Sequence, residues 1–229
     1  MLSTLKMIKY QRTGFNIFIL LFCMMFIASC KEEEYVYPSV LTEFVDIQTN
    51  DNGELNNIIT DNGKSYYIRQ RSDLEGFTAD SIYRTLSVYL PENGSEYATL
   101  YSCQFVLSMK PTPRQDFKTE IKTDPLDIER IWQSGKYINM VLTVQAKDKG
   151  HGFNFIEEGI EENSDGSKTL SITLFHNQND DYKAFSRNVY LSVPLWAYNG
   201  LLHNGDKVEI RINTFEEGVT SRIFEFSEN

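Results

Sequence analysis

His151, His176 and His203 stand in the second half of a 229-residue chain, and His151 and His176 sit at the ends of apolar runs near Asp148, Asp180 and Asp181. Imidazole and carboxylate together suit zinc. The spacings of 25 and 27 residues match no local metal motif, so only strand neighbours could gather these rings. The expectation is two histidines hydrogen-bonded to loop backbone at one end of a domain, with no metal and no cofactor. Trp196 follows Val193, Pro194 and Leu195 at a strand end, and with Tyr198 and Tyr97 it offers an aromatic platform for a sugar or protein partner. Trp132 follows Ile131 in an apolar run and is expected in the core. The acid pairs Glu157 with Glu158 and Glu161 with Glu162 raise glycosidase chemistry, which needs carboxyls about 5 to 10 Å apart across a cleft. They fall between Ile156 and Leu170 in a stretch rich in Gly, Asn and Asp, which reads as a solvated turn. No serine stands in a nucleophile elbow, and Cys103 lies in the apolar run 100–109 as a buried, inert thiol. Trp196, Tyr198, His151 and His176 are therefore the candidate ligand-binding residues, and no residue takes a catalytic role. The chain reads as a non-enzymatic binding module; the alternatives are a glycan binder or a metal-dependent hydrolase using His151 and His176.

A different chemistry is written at the N-terminus. Lys6, Lys9 and Arg12 precede an unbroken apolar run over residues 17–28. Twelve residues fall short of the roughly 20 that span a bilayer, so the run reads as the apolar part of a secretory signal. Ile27, Ala28, Ser29 and Cys30 resemble the lipobox of bacterial lipoproteins, which implies cleavage before Cys30 and acylation of its thiolate. Acyl chains, worth about 0.8 kcal/mol per buried CH₂, would then hold the protein to the membrane. Lys31, Glu32, Glu33 and Glu34 resemble the surface-export signal of Bacteroidota lipoproteins. The expected location is the outer membrane, lipid-anchored and facing the cell exterior.

Charge narrows the partners. The chain has 22 bases against 32 acids, and its first thirty residues hold three bases and no acid. Residues 38–113 alone carry five bases and ten acids, which speaks against a phosphate-tracking surface and against nucleic acid. With Cys23 in the signal and Cys30 lipidated, Cys103 stands alone, and the processed chain can form no internal disulfide.

Period-two alternation dominates the elements that must position these residues. Strands are expected over 40–47, 55–60, 65–69, 82–90 and 98–109, with a turn at 50–53 and a tight hairpin at Asp61, Asn62 and Gly63. Five strands in so few residues suit a small closed barrel, which leaves no open edge. Pro111 and Pro113 punctuate the chain, and 114–124 reads as a charge-balanced linker. Seven further strands are expected over 128–132, 137–145, 153–156, 170–175, 189–193, 208–214 and 222–226, the pattern of a β-sandwich, with one helical turn over 180–186. The organisation is thus all-β: signal peptide 1–29, acylated Cys and acidic tether 30–37, OB-like barrel 38–113, linker 114–124, sandwich 125–229.

Along the chain come Val40, Thr42, Val45 and Asp46; Asp61, Asn62 and Gly63; Trp132, Gly135, Tyr137 and Asn139; His151, Phe153 and Phe155; His176 and Asn177; and Ser192, Pro194, Leu195, Gly205 and Asp206. In these residues and their order the chain resembles the NigD-like lipoproteins. The resemblance covers residues 35–228 and implies an OB-like barrel followed by a β-sandwich. It also implies an association with bacteriocin loci and an immunity role, and supplies no catalytic set.

Overall fold

A computed structural model of the chain describes residues 39–228. The signal peptide 1–29, Cys30, the Lys31, Glu32, Glu33 and Glu34 signal and the rest of the tether lie outside the described residues. Among the described residues no helix is long and apolar enough to cross a membrane.

Strands β1 (Leu41–Thr49), β2 (Leu55–Thr60), β3 (Ser65–Ile68), β4 (Ile82–Pro91) and β5 (Tyr97–Phe105) close a barrel in the order β1-β2-β3-β5-β4. All pairs are antiparallel except β3 with β5, the arrangement of an OB-like barrel. Its interior is filled by Val45, Ile47, Leu55, Ile58, Ile68, Tyr89, Ala98 and Leu100. Leu74, from the connection between β3 and β4, plugs the same core, and its carbonyl accepts the Leu55 N–H at 2.7 Å. Alternation breaks in β1, where Phe44, Val45, Asp46 and Ile47 are all buried. The reason is tertiary: the second half of the chain covers the outer face of β1.

That half begins earlier than the sequence suggests. Leu107–Ser108 (β6) and Thr112–Pro113 (β7), counted above with the barrel, pair in parallel with two different sandwich sheets. The remaining strands are β8 (Asp127–Ser134), β9 (Tyr137–Ala146), β10 (Gly152–Glu162), β11 (Lys168–Asn177), β12 (Phe185–Pro194), β13 (Lys207–Thr214) and β14 (Gly218–Glu225). They form sheets ordered β14-β13-β11-β10-β7 and β6-β12-β9-β8. Between the sheets lie Ile138, Met140, Leu142, Phe155, Leu170, Ile172, Leu191, Val193, Val208, Ile210 and Phe226, nearly all fully buried. Each such side chain contributes about 1.5–3 kcal/mol through removal from water. The 114–124 segment is pinned to this body, since Lys122 and Asp124 exchange backbone hydrogen bonds with His176.

Two local expectations are corrected. Residues 180–186 form no helical turn: Asn179 and Asp180 both adopt positive φ, 54° and 51°, which starts a tight turn, and β12 begins at Phe185. The acid pairs are not in a loop. A bulge around Glu158 and Gly159 lets β10 continue past Ile156 to Glu162, so all four glutamates stand on a strand.

Candidate functional site

Barrel and sandwich meet at a buried ionic knot centred on Arg84 of β4, whose side chain is 2% exposed. Its Nη1 donates to Asp46 Oδ1 at 3.2 Å and to Asp61 Oδ1 at 2.6 Å, and its Nη2 donates to Asp61 Oδ2 at 2.8 Å and Asn139 Oδ1 at 2.9 Å. Asn139 Oδ1 also accepts from the Ser192 hydroxyl at 2.7 Å. The guanidinium lies over the Tyr137 ring, 3.9 Å from its centroid, and the Tyr137 hydroxyl donates to Asp46 Oδ2 at 3.2 Å. Burial first, then the charge of Asp46, pushes that hydroxyl up to about 12 against the opposing pull of Arg84. Arg84 and the two aspartates come from the barrel, and Tyr137, Asn139 and Ser192 come from β9 and β12. Both terminal nitrogens of Arg84 are bonded and its buried Nε is not, and a network of this kind fixes geometry more than it adds stability.

Two clefts flank the junction. One, of about 520 Å³, is lined by Ile82, Tyr83, Arg84, Phe105, Val106, Ser108, Lys136, Tyr137 and Trp196. Its rim is apolar and open: Ile82 is 58%, Phe105 55% and Trp196 51% exposed. Tyr83 and Phe105 pack at 5.3 Å between centroids, and Phe77 backs both rings. Trp196 is aimed outward by the 3₁₀ turn Leu195–Tyr198. Residues three apart eclipse in such a turn, so Leu195 and Tyr198 both point into the core, each 1% exposed, and Trp196 points away. Tyr198 therefore does not share a face with Trp196. Its hydroxyl donates to Glu157 at 2.8 Å, and burial pushes it well above the usual phenol range. The second cleft, of about 470 Å³, contains Trp132. Trp132 is half-buried there and not a core residue, because β8 is an edge strand whose ring packs sideways on Phe44 of the barrel.

The structure does bring His151 and His176 together, within the protein and away from both clefts. His176 Nδ1 faces the Asp124 carbonyl at 2.8 Å and must donate to it, so His176 Nε2 accepts from His151 Nδ1 at 2.9 Å. Burial, helped by His151, lowers the His176 pKa against the opposing Asp124 carbonyl. Both ring nitrogens of His176 are thus engaged, and His151 Nε2 stands 3.6 Å from Asp181 Oδ2. Burial works to raise the Asp181 carboxyl, but N–H groups of Lys147, Asp148, Lys149 and Tyr182 outweigh it and hold the group at about 2. His203 lies apart, near Glu228. Among the described residues no three His, Cys, Asp or Glu side chains stand together in a metal-holding group. Glu158 is engaged by Arg114 and Glu157 by Tyr198, so neither faces a partner carboxyl across a cleft. Cys103 is half-buried against the barrel core, and burial raises its thiol pKa above the reactive range.

Arg84, Ile82 and Phe105 are the residues of this candidate site that the sequence does not single out. In the sequence Arg84 is one of five bases within residues 38–113, and Ile82 and Phe105 fall inside expected strands whose outward faces alternation leaves unassigned. Periodicity cannot show that a barrel's outer face is half covered by another domain and half open beside it.

Fold and junction define a class, an OB-like barrel packed through an ionic knot onto a β-sandwich. Residues 108–226 match the NigD-like C-terminal beta sandwich domain, and the chain belongs to the NigD-like family. It is similar to a NigD-like immunity protein from Bacteroides caccae, 27% identical over 85% of this chain and 100% of that one, with a TM-score of 0.69. The fold is shared with a candidate toxin-related protein from Parabacteroides distasonis, 15% identical over 83% and 95% of the two chains at a TM-score of 0.62. It is shared too with a candidate lipoprotein from Bacteroides fragilis, 12% identical over 84% and 99% at 0.57. No curated protein matches the chain.

Proposed function

We propose that the chain is a non-enzymatic, lipid-anchored binding module of the bacteriocin-immunity type, attached to the outer membrane through Cys30 and facing the cell exterior. Its partner is a protein taken at the Trp196 cleft. One observation carries this reading: three large apolar side chains, Trp196, Phe105 and Ile82, stay half-exposed around one cleft whose walls are locked by the Arg84 knot. Rigid aromatic rings in a preorganised cleft are the usual anchors of protein interfaces and lose little entropy on binding. The immunity type is supported by the likeness to the Bacteroides caccae protein over that protein's whole length. The anchor and the exterior placement are supported by the lipobox and by Lys31, Glu32, Glu33 and Glu34.

A photocrosslinker placed at position 196 of the full-length chain in intact cells tests the cleft. A discrete protein adduct is expected there and not at Arg187, an exposed position on β12. Trp196→Ala should weaken the captured partner's binding roughly thirtyfold while barely moving the melting temperature. Equal adducts at both positions, or unchanged binding, would overturn the assignment. Replacing Lys31, Glu32, Glu33 and Glu34 with Ala should remove protease sensitivity in intact cells, and undiminished sensitivity would refute export through this segment.

A further inference from the structure

The Trp132 cleft lies on β8 and does not depend on the reading of the Trp196 cleft. Its chemistry differs. Arg69, Arg71, Arg84, Arg114 and Arg211 are each paired with a carboxylate. Arg130 is exposed, lies 4.3 Å over the Trp132 ring, and has no carboxylate partner among the described residues. A guanidinium held by stacking keeps its fork of N–H donors for a planar acid. Across the cleft stands the β2–β3 hairpin. There Asn62 Oδ1 is occupied by the Thr60 hydroxyl and the Lys64 N–H, which leaves the amide N–H groups as donors. Asp61 is neutralised by Arg84, and Glu43 commits one oxygen, Oε2, to the Tyr89 hydroxyl and keeps Oε1 as an acceptor. Trp132 and Tyr190, both half-buried, flank the buried Phe44 and with its edge supply an aromatic wall.

A forked cation, an amide donor, a carboxylate acceptor and an aromatic wall require a ligand with an acid group, hydroxyl donors and an apolar face. The geometry points to an acidic saccharide, a sugar unit bearing a carboxylate of the uronic or sialic type, bound with its carboxylate on Arg130. A peptide can offer an amide N–H to Glu43 and a carbonyl to Asn62, but it lacks the flat C–H face that a pyranose ring lays against an aromatic wall, so an acidic peptide is the competing ligand in the test. The volume of about 470 Å³ holds one or two sugar rings and lies within the ordinary range of ligand pockets.

The chain has two tryptophans, so Trp196→Phe leaves Trp132 as the sole indole reporter. In that background, with the full-length chain in detergent micelles, oligosaccharides ending in glucuronic or sialic acid should change Trp132 emission saturably. The neutral, carboxyl-reduced analogues should bind roughly tenfold or more weakly, and Arg130→Gln should cost the acidic sugars a similar factor with an unchanged melting curve. The assignment is overturned by no saturable change, by equal affinity for the neutral analogues, by undiminished affinity in Arg130→Gln, or by stronger binding of an acetylated acidic peptide. None of these outcomes bears on crosslinking at position 196, so the two sites fail separately.

Discussion

A guanidinium removed from water needs partners for its N–H groups, and Arg84 draws them from two aspartates of its own barrel and an asparagine of the sandwich. Replacing it with Met would leave Asp61 without a cation and Asp46 with Lys136 alone, 3.5 Å away, at a junction where Asp46 is buried. Arg84→Met is expected to lower the free energy of unfolding by about 3–5 kcal/mol in urea titration, and adding Asp46→Asn and Asp61→Asn should recover part of that loss. A single-variant loss under 1 kcal/mol would mean that water enters the junction. Asp46 stands directly opposite Arg84 across the β1–β4 ladder. That cross-strand pairing becomes visible only when strand register is known, which explains why the sequence discloses the hairpin residues Asp61, Asn62 and Gly63 but leaves Arg84 looking like a stray surface base. The histidines show the same limit: spacing alone does not place His151 against His176, because their approach depends on register between β10 and β11.

At the scale of elements, hairpins were the most legible feature. β2 occupies 55–60 and β9 starts at Tyr137, both as alternation and turn residues indicate. Strand ends were harder to read wherever a long-range partner sets them. β10 runs six residues beyond Ile156 through a bulge, and 107–113 joins the sandwich because its backbone finds ladders in both sheets. The hairpin between β8 and β9 also determines how closely the two halves approach. Gly135 has φ +53°, and a Cβ there would stand 2.6 Å from the Asp61 carbonyl oxygen, whereas Gly63, with φ +81°, faces open space. Gly63→Ala should cost about 1 kcal/mol for its left-handed backbone. Gly135→Ala should cost roughly twice that or more, because the hairpin carrying Asp61 must also move. Thermal unfolding of the pair checks this, and equal losses would show that the hairpins do not hold each other in register.

For the molecule as a whole, interior titratable groups set the pH range of stability. The depressed His176 takes up its proton more readily when unfolded, so the stability it lends is present above the ordinary histidine value of 6.5 and is lost as pH falls below it. Asp181, held at about 2, adds a second loss as pH drops below 3.8. Tyr89, Tyr137 and Tyr198 are all pushed upward by burial, so their contribution is present below 10 and is lost as pH rises beyond it. Urea midpoints measured from pH 3 to 11 should therefore peak between about 7 and 10, and a maximum at pH 5 would contradict the neutral, buried state of His176. Strand order carries one more consequence, a mechanical one. β1 is the first strand of the described body and lies between β2 and β4, antiparallel to both. Tension applied from the N-terminal side of Leu41 runs along the strand and loads both ladders in shear, so their hydrogen bonds must yield together instead of unzipping one at a time. A tug through the chain's leading end thus meets the barrel in its most resistant direction.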